Sequence, residues 1–243
     1  MVNFFKINEL ANHCKRQWNL NENDPIDIFS VVPDKIKNLT IVFLKMKDNF
    51  SGACYKSSNV SIIFINSIHS KGRQSFTLAH EIYHLKYGDK DFSICGNNSD
   101  NEIEREADQF ASCFLMSHGA FESYKLNNNI EKWDLDNIIK GEQFFQISHH
   151  AMLRRIRYLN QITSDEYNDF KPNIKSNALK RGYNLSLYEP YLNKDYFTIG
   201  NIVPLTELAF DNDLISIGKK EEILLDAFCG DLVFNFTEDD NIE

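Results

Sequence analysis

Apolar side chains recur at helical intervals at the start of the chain, at Phe5, Leu10, Ala11 and Trp18, and the polar run Asn21-Glu22-Asn23-Asp24-Pro25 ends them. This predicts an N-terminal helix over about 5–20. The pattern then changes to continuous β-branched and aromatic runs, Leu39-Thr40-Ile41-Val42-Phe43-Leu44 and Val60-Ser61-Ile62-Ile63-Phe64-Ile65, with a shorter Ala53-Cys54-Tyr55 behind Ser51-Gly52. A small sheet follows from these runs. Ser70 can cap a helix, residues 72–87 contain no proline, and Gly88-Asp89 supplies a stop, so a helix is expected there. A polar loop at 96–101 precedes a further helix over about 102–116, with Ala107, Phe110, Ala111 and Phe114 spaced to face a core. Residues 135–159 read as two short helices around Ile147-Ser148, with Ser148 capping the second. Beyond Pro172 the pattern weakens: Gly182, Pro190, Gly200 and Pro204 punctuate short segments, 205–228 is again helical, and Glu238-Asp239-Asp240 reads as a solvated end.

A length of 243 residues allows one large domain, or a main domain with a smaller companion. A hydrophobic fraction of 42% beside 25% charged residues excludes disordered and fibrous classes. The net charge of −9 works against whole-surface attraction to nucleic acid or anionic membrane, so any such contact needs a local patch. Cysteines at 14, 54, 95, 113 and 229 are odd in number and lack C-x-x-C spacing. They read as reduced thiols, which fits a cytoplasmic location and excludes a cysteine-only zinc site. The start Met1-Val2-Asn3-Phe4-Phe5-Lys6 runs into polar residues without a signal-peptide core, and no stretch approaches the roughly 20 apolar residues of a membrane span.

The sequence His80-Glu81-Ile82-Tyr83-His84 places two imidazoles one helical turn apart on the same face, where both can reach one ion. Glu81 lies on the flank of that face, poorly placed as a third ligand but able to accept a proton from water at the metal. Alone, these five residues also suit an ordinary amphipathic helix with two surface histidines. The next helix counts against that, because Glu104 follows His84 by 20 residues and Asp108 lies one turn beyond it. Two histidines and one glutamate leave a coordination position open, as catalytic zinc sites do. Asp108 can hold the N–H of a ligand histidine, or be a plain surface carboxylate. Glu106 competes for the ligand role but points about 200° away from Glu104 on an ideal helix, so Glu104 is preferred. Zinc is the expected ion, and manganese or iron also suits such a site.

The run Gly72-Arg73-Gln74-Ser75-Phe76-Thr77-Leu78-Ala79-His80-Glu81-Ile82-Tyr83-His84-Leu85, with Glu104-Arg105-Glu106-Ala107-Asp108-Gln109-Phe110-Ala111-Ser112-Cys113-Phe114-Leu115-Met116, resembles the ImmA/IrrE family of bacterial and phage metallopeptidases. The resemblance extends to Asp24-Pro25-Ile26-Asp27-Ile28-Phe29 and to Leu214-Ile215-Ser216-Ile217-Gly218-Lys219. It implies an α+β fold with a zincin-like peptidase core (N-terminal helix, small β-sheet, H-E-x-x-H helix, second glutamate-bearing helix) and a helical C-terminal extension. The corresponding division is 1–125 for the core, 126–165 for a helix-turn-helix-like segment and 166–243 for a helical or irregular region. In the family's E-x-E-A-[ND] run the first glutamate is the ligand, which falls on Glu104. The implied activity is zinc-dependent cleavage of a helix-turn-helix repressor of phage, mobile-element or stress genes. The alternative is a non-proteolytic partner or toxin that sequesters or pairs with such a regulator.

Three positions depart from the family pattern. Tyr83 stands in place of a glycine and is expected to narrow access beside the metal; Asp108 replaces a common asparagine and keeps an acceptor; Ser117 replaces a proline and is expected to loosen a helix end. His118, His149, His150 and Tyr83 are all candidates to stabilise an oxyanion on residue type alone. An extended substrate can add as a strand at the sheet edge. Gln146-Ile147-Ser148, leading to Arg154, Arg155 and Arg157, resembles the family's helix-turn-helix-like segment, which raises direct DNA binding. A structural helix pair with a solvated basic face is preferred given the net charge.

Overall fold

A computed structural model describes residues 3–89, 91–96 and 102–234, without the side chains of 94–96. The 238–240 acidic run, most of the 96–101 loop and the Cys95 side chain lie outside the described residues. The fold is α+β, as expected, with a five-stranded sheet and many helices.

Helix α1 (Phe4–Gln17) starts at Asn3, whose side chain accepts from Lys6 N. Its inward stripe is Ile7, Ala11 and Cys14, with Phe4 and Leu10 partly buried beside it. Phe5, taken above as part of that stripe, is 78% exposed; two adjacent phenylalanines cannot both face inward on a helix, and Phe4 does. Lys15 is fully buried, and its ammonium donates to the Glu22 and Asp24 carbonyls, pinning the 21–25 turn to α1. Burial lowers its pKa to about 8 against the pull of Asp24 and Glu22.

A helix not foreseen above, α2 (Ile28–Lys35), buries Ile28, Phe29 and Val32. Pro33 lies inside it, and a proline that removes a backbone donor reads from sequence as a breaker. Strands β1 (Leu39–Leu44), β2 (Phe50–Lys56), β3 (Ser61–Asn66), β4 (Phe92–Gly96) and β5 (Phe197–Gly200) form the sheet in the order β4-β2-β3-β1-β5. β1 and β3 pair in parallel, with Ile41 opposite Ile63 and Phe43 opposite Ile65; the other pairings are antiparallel. These four side chains are fully buried on one face, as the period of two requires. β5 reaches β1 from far along the chain, and Gly200 (φ 103°) is needed there because a Cβ would collide with the Leu39 carbonyl.

Helix α3 (Lys71–Tyr87) lies on β2 and β3, and α4 (Glu102–Leu115) packs against both α3 and α1. Then follow α5 (His118–Asn127), α6 (Leu135–Phe145), α7 (His149–Tyr158), α8 (Ser164–Phe170) and α9 (Ile174–Lys180). Ser148 caps α7 by accepting from Ala151 N, as its position predicts. Ser117 does not loosen a helix end: it caps α5 through Ala120 N and donates to the Glu22 carbonyl. The stretch 205–228 is not one helix but α10 (Ile202–Asp211) and α11 (Ile217–Asp226), followed by α12 (Gly230–Phe234). Asp213 turns the chain at φ 56° and Ser216 caps α11 by accepting from Lys219 N, two punctuation signals hidden in an otherwise apolar run.

Candidate metal centre

Helix α3 is buried on nearly all sides, with Leu78, Ala79, Ile82 and Tyr83 in the core beside His80, Glu81 and His84. Its start is held by Gln74, whose amide donates to the Asn66 and Ser67 carbonyls and accepts from Tyr191 N. Ser70 occupies the capping position without a side-chain capping bond.

Helical spacing brings the two imidazoles together, with His84 Nε2 3.1 Å from His80 Nε2. Glu104, from the first turn of α4, closes the third side, with Oε2 3.2 Å from His80 Nε2 and Oε1 3.3 Å from His84 Nε2. Ligand-type atoms of these three residues lie within 4.8 Å of one another, a grouping that can hold a metal ion. Asp108 accepts from His80 Nδ1 at 2.9 Å. A carboxylate can only accept, so Nδ1 carries a proton toward Asp108, and Nε2 is the nitrogen that faces Glu104 and His84 and would give up its own proton to a metal. Burial disfavours the charged form of His80, but hydrogen bonds to Asp108 and Glu104 and the charge of Glu81 outweigh it, raising the pKa to about 10. Burial likewise pushes the Glu104 carboxyl up, yet the bonds from His80 and His84 hold it well below the usual range. The buried Glu81, the partly buried Glu104 and the half-exposed Asp108 thus lie around two buried imidazoles, and a divalent cation would offset their negative charge. The donor set fits a metal of the zinc class.

Glu106 points elsewhere, accepting a 2.6 Å bond from the Tyr83 hydroxyl. Tyr83 braces α3 on α4: its ring is buried against Tyr87 and Phe110 and meets the His84 ring edge-on at 5.8 Å. His149 is committed as well, donating to Glu142 Oε2 (2.8 Å) and to the Phe170 carbonyl (2.9 Å). Burial opposes its charge, but Glu142 raises its pKa, and the Tyr188 hydroxyl donates to the other Glu142 oxygen. His118 lies exposed beside Phe4, and His150 lies beside Tyr167. Arg155, grouped above with a solvated basic face, is buried, and its guanidinium donates to the Met116 carbonyl and the Cys113 sulfur. Cys14, Cys54, Cys113 and Cys229 are free thiols.

Two residues that sequence reasoning passed over surround Glu81, which has no exposed surface. Gly52 on β2 leaves no room for a side chain: a Cβ would lie 2.6 Å from Thr77 Cγ2, 2.7 Å from the Phe64 carbonyl and 3.0 Å from Glu81 Oε1. Cys54, next on the same face of β2, is kept protonated by burial and by the Glu81 charge, so its thiol is a donor toward that carboxylate. A glycine inside a strand signals close approach, but Ser51-Gly52 reads equally well as a turn. Gly52→Ala is expected to destabilise the protein by about 1–3 kcal/mol, because Thr77 or Glu81 must shift. Urea denaturation of the two proteins checks this.

No curated protein matches the chain. The family model Peptidase_M78, the IrrE N-terminal-like domain, matches residues 35–157, half of the 243 residues, spanning α3, α4 and the clustered histidines and glutamate; the chain belongs to that family.

Proposed function

We propose that this protein is a zinc-dependent metallo-endopeptidase, with His80, His84 and Glu104 holding the metal and Glu81 as general base, that cleaves a helix-turn-helix transcriptional repressor. The observation that carries the reading is the convergence of His80, His84 and Glu104 on one point, on the α3 and α4 helices of a peptidase-family domain. Zinc, when bound, supplies a Lewis acid that polarises the scissile carbonyl and acidifies water; manganese or iron would serve in the same donor set. Asp108 keeps His80 in the tautomer that leaves Nε2 free to ligate. The Glu81 carboxylate takes a proton from the attacking water and delivers it to the departing amine nitrogen. Gly52 leaves room for that carboxylate, and the Cys54 thiol donates toward it.

A protein partner is supported by the apolar side chains that α10, α11 and their links expose, among them Leu208, Leu214, Ile217 and Phe228. The sheet ends at β4 and β5, and an extended substrate would add as a strand at one of these edges. The chain divides for this purpose into a core at 1–125, a helix-turn-helix-like segment at 126–165 and a C-terminal region at 166–243. Reduced thiols support a cytoplasmic setting, and no helix among the described residues is long and apolar enough to cross a membrane. If the neighbouring gene encodes a helix-turn-helix regulator, incubating that regulator with the zinc-loaded protein should give discrete fragments by mass spectrometry. A regulator that stays whole would remove it as the substrate.

A further inference from the structure

A cleft of about 640 Å³ opens between α3, α4 and α7, and one of its walls is Asp108, the residue bonded to His80. Phe76, one turn before His80 on α3, lines it too, while His80, His84 and Glu104 do not, so the cleft borders the metal centre through Asp108. Its charge is opposite to that of the molecule: Arg154, Arg155 and Arg157 all line it in a protein of net charge −9. Among the described residues none of these three arginines has a carboxylate within ion-pair distance.

Arg155 is the decisive member. It is 2% exposed, and among the described residues its Nη groups reach only a carbonyl and a thiol and its Nε has no hydrogen-bond partner. The Phe4 ring face, 5.0 Å away, is the remaining support for a buried cation that ordinarily requires an anion. Sealed from solvent, Arg155 contributes field, whereas the exposed Arg154 and Arg157 are free to make contact. Arg157 is already positioned over the Tyr167 ring at 4.9 Å. The positive field is felt nearby: desolvation first, then the charges of Arg154 and Lys171, disfavour the imidazolium of His150.

We infer that this arginine-lined cleft is a specificity subsite for an acidic side chain of the polypeptide substrate, close to the bond that is cut. The inference rests on the peptidase reading. A carboxylate entering here gains charge-assisted bonds from Arg154 and Arg157 and offsets the Arg155 charge, while Phe76 and Tyr167 give apolar walls for the rest of the peptide. The volume suits a few residues of extended chain. The surrounding net negative charge repels a polyanion at long range, and so favours a single acidic side chain over a nucleic acid.

The test uses the full chain carrying Glu81→Gln and loaded with zinc, so that peptides are held without being cut. A pool of randomised decapeptides is applied and the retained ones are sequenced. Aspartate and glutamate should be enriched over asparagine and glutamine by about tenfold at one position. The added double change Arg154→Glu with Arg157→Glu alters two exposed side chains, and its folding is checked by its melting temperature; it should abolish that enrichment. No acidic enrichment, or enrichment that survives the double change, overturns the subsite. Retention without acidic preference that millimolar inorganic phosphate displaces also overturns it, marking the cleft as a phosphate site instead. Failure of the peptidase reading looks different: acidic peptides are retained and lost as stated, but the zinc-loaded protein with Glu81 intact never cuts them.

Discussion

Glu81→Gln is expected to lower peptide cleavage by about 10²–10⁴-fold while leaving the metal bound, the range expected for loss of a general base. The substitution keeps the side chain's length and shape in a space with no slack, bounded by Gly52 and Thr77, so the fold has no steric reason to change. It removes the negative charge that takes up the proton. The Cys54 thiol can still donate to the amide oxygen, and the ligand atoms of His80, His84 and Glu104 are untouched. Turnover of a peptide, measured alongside metal content by mass spectrometry, separates chemistry from binding. A metal-loaded Glu81→Gln protein that cuts, or that derepresses its target as the parent does, would place the activity elsewhere and favour sequestration of the regulator.

His84→Ala should reduce bound zinc from about one equivalent to a small fraction of that, and His80→Ala likewise, because each removes one of three protein ligands. Glu104→Ala should do nearly as much, since its two oxygens face both imidazoles. Glu106→Ala should keep the metal, as that carboxylate is occupied by the Tyr83 hydroxyl, and should lower stability by roughly 1–3 kcal/mol instead. Elemental analysis of the four proteins decides the matter. Equal metal loss at 104 and 106 would mean that α4 presents a different face to α3.

The convergence of His80, His84 and Glu104 was readable from spacing because helices impose it: residues one turn apart share a face, and a 20-residue gap suits a loop with a packed second helix. β1 and β3 were readable because their β-branched and aromatic runs are continuous. What escaped depended on distant parts of the chain. β5 exists only because β1 offers an edge some 150 residues earlier, and nothing local in Phe197-Thr198-Ile199-Gly200 marks it as a strand. The surroundings of Glu81 escaped because they come from β2, and the interior position of Arg155 because a run of arginines reads as solvated until α4 and α1 close over it. The bond from the Tyr83 hydroxyl to Glu106 escaped too, because it depends on a partner on another helix.

X-ray absorption at the zinc edge reads the identity of the metal's ligands directly in solution. For the zinc-loaded protein the result predicted is nitrogen and oxygen neighbours only, at about 2.0–2.2 Å, with outer-shell scattering from two imidazoles that falls to one in His84→Ala if any metal is retained. Sulfur at about 2.3 Å, or a two-imidazole signal unchanged by His84→Ala, would contradict it.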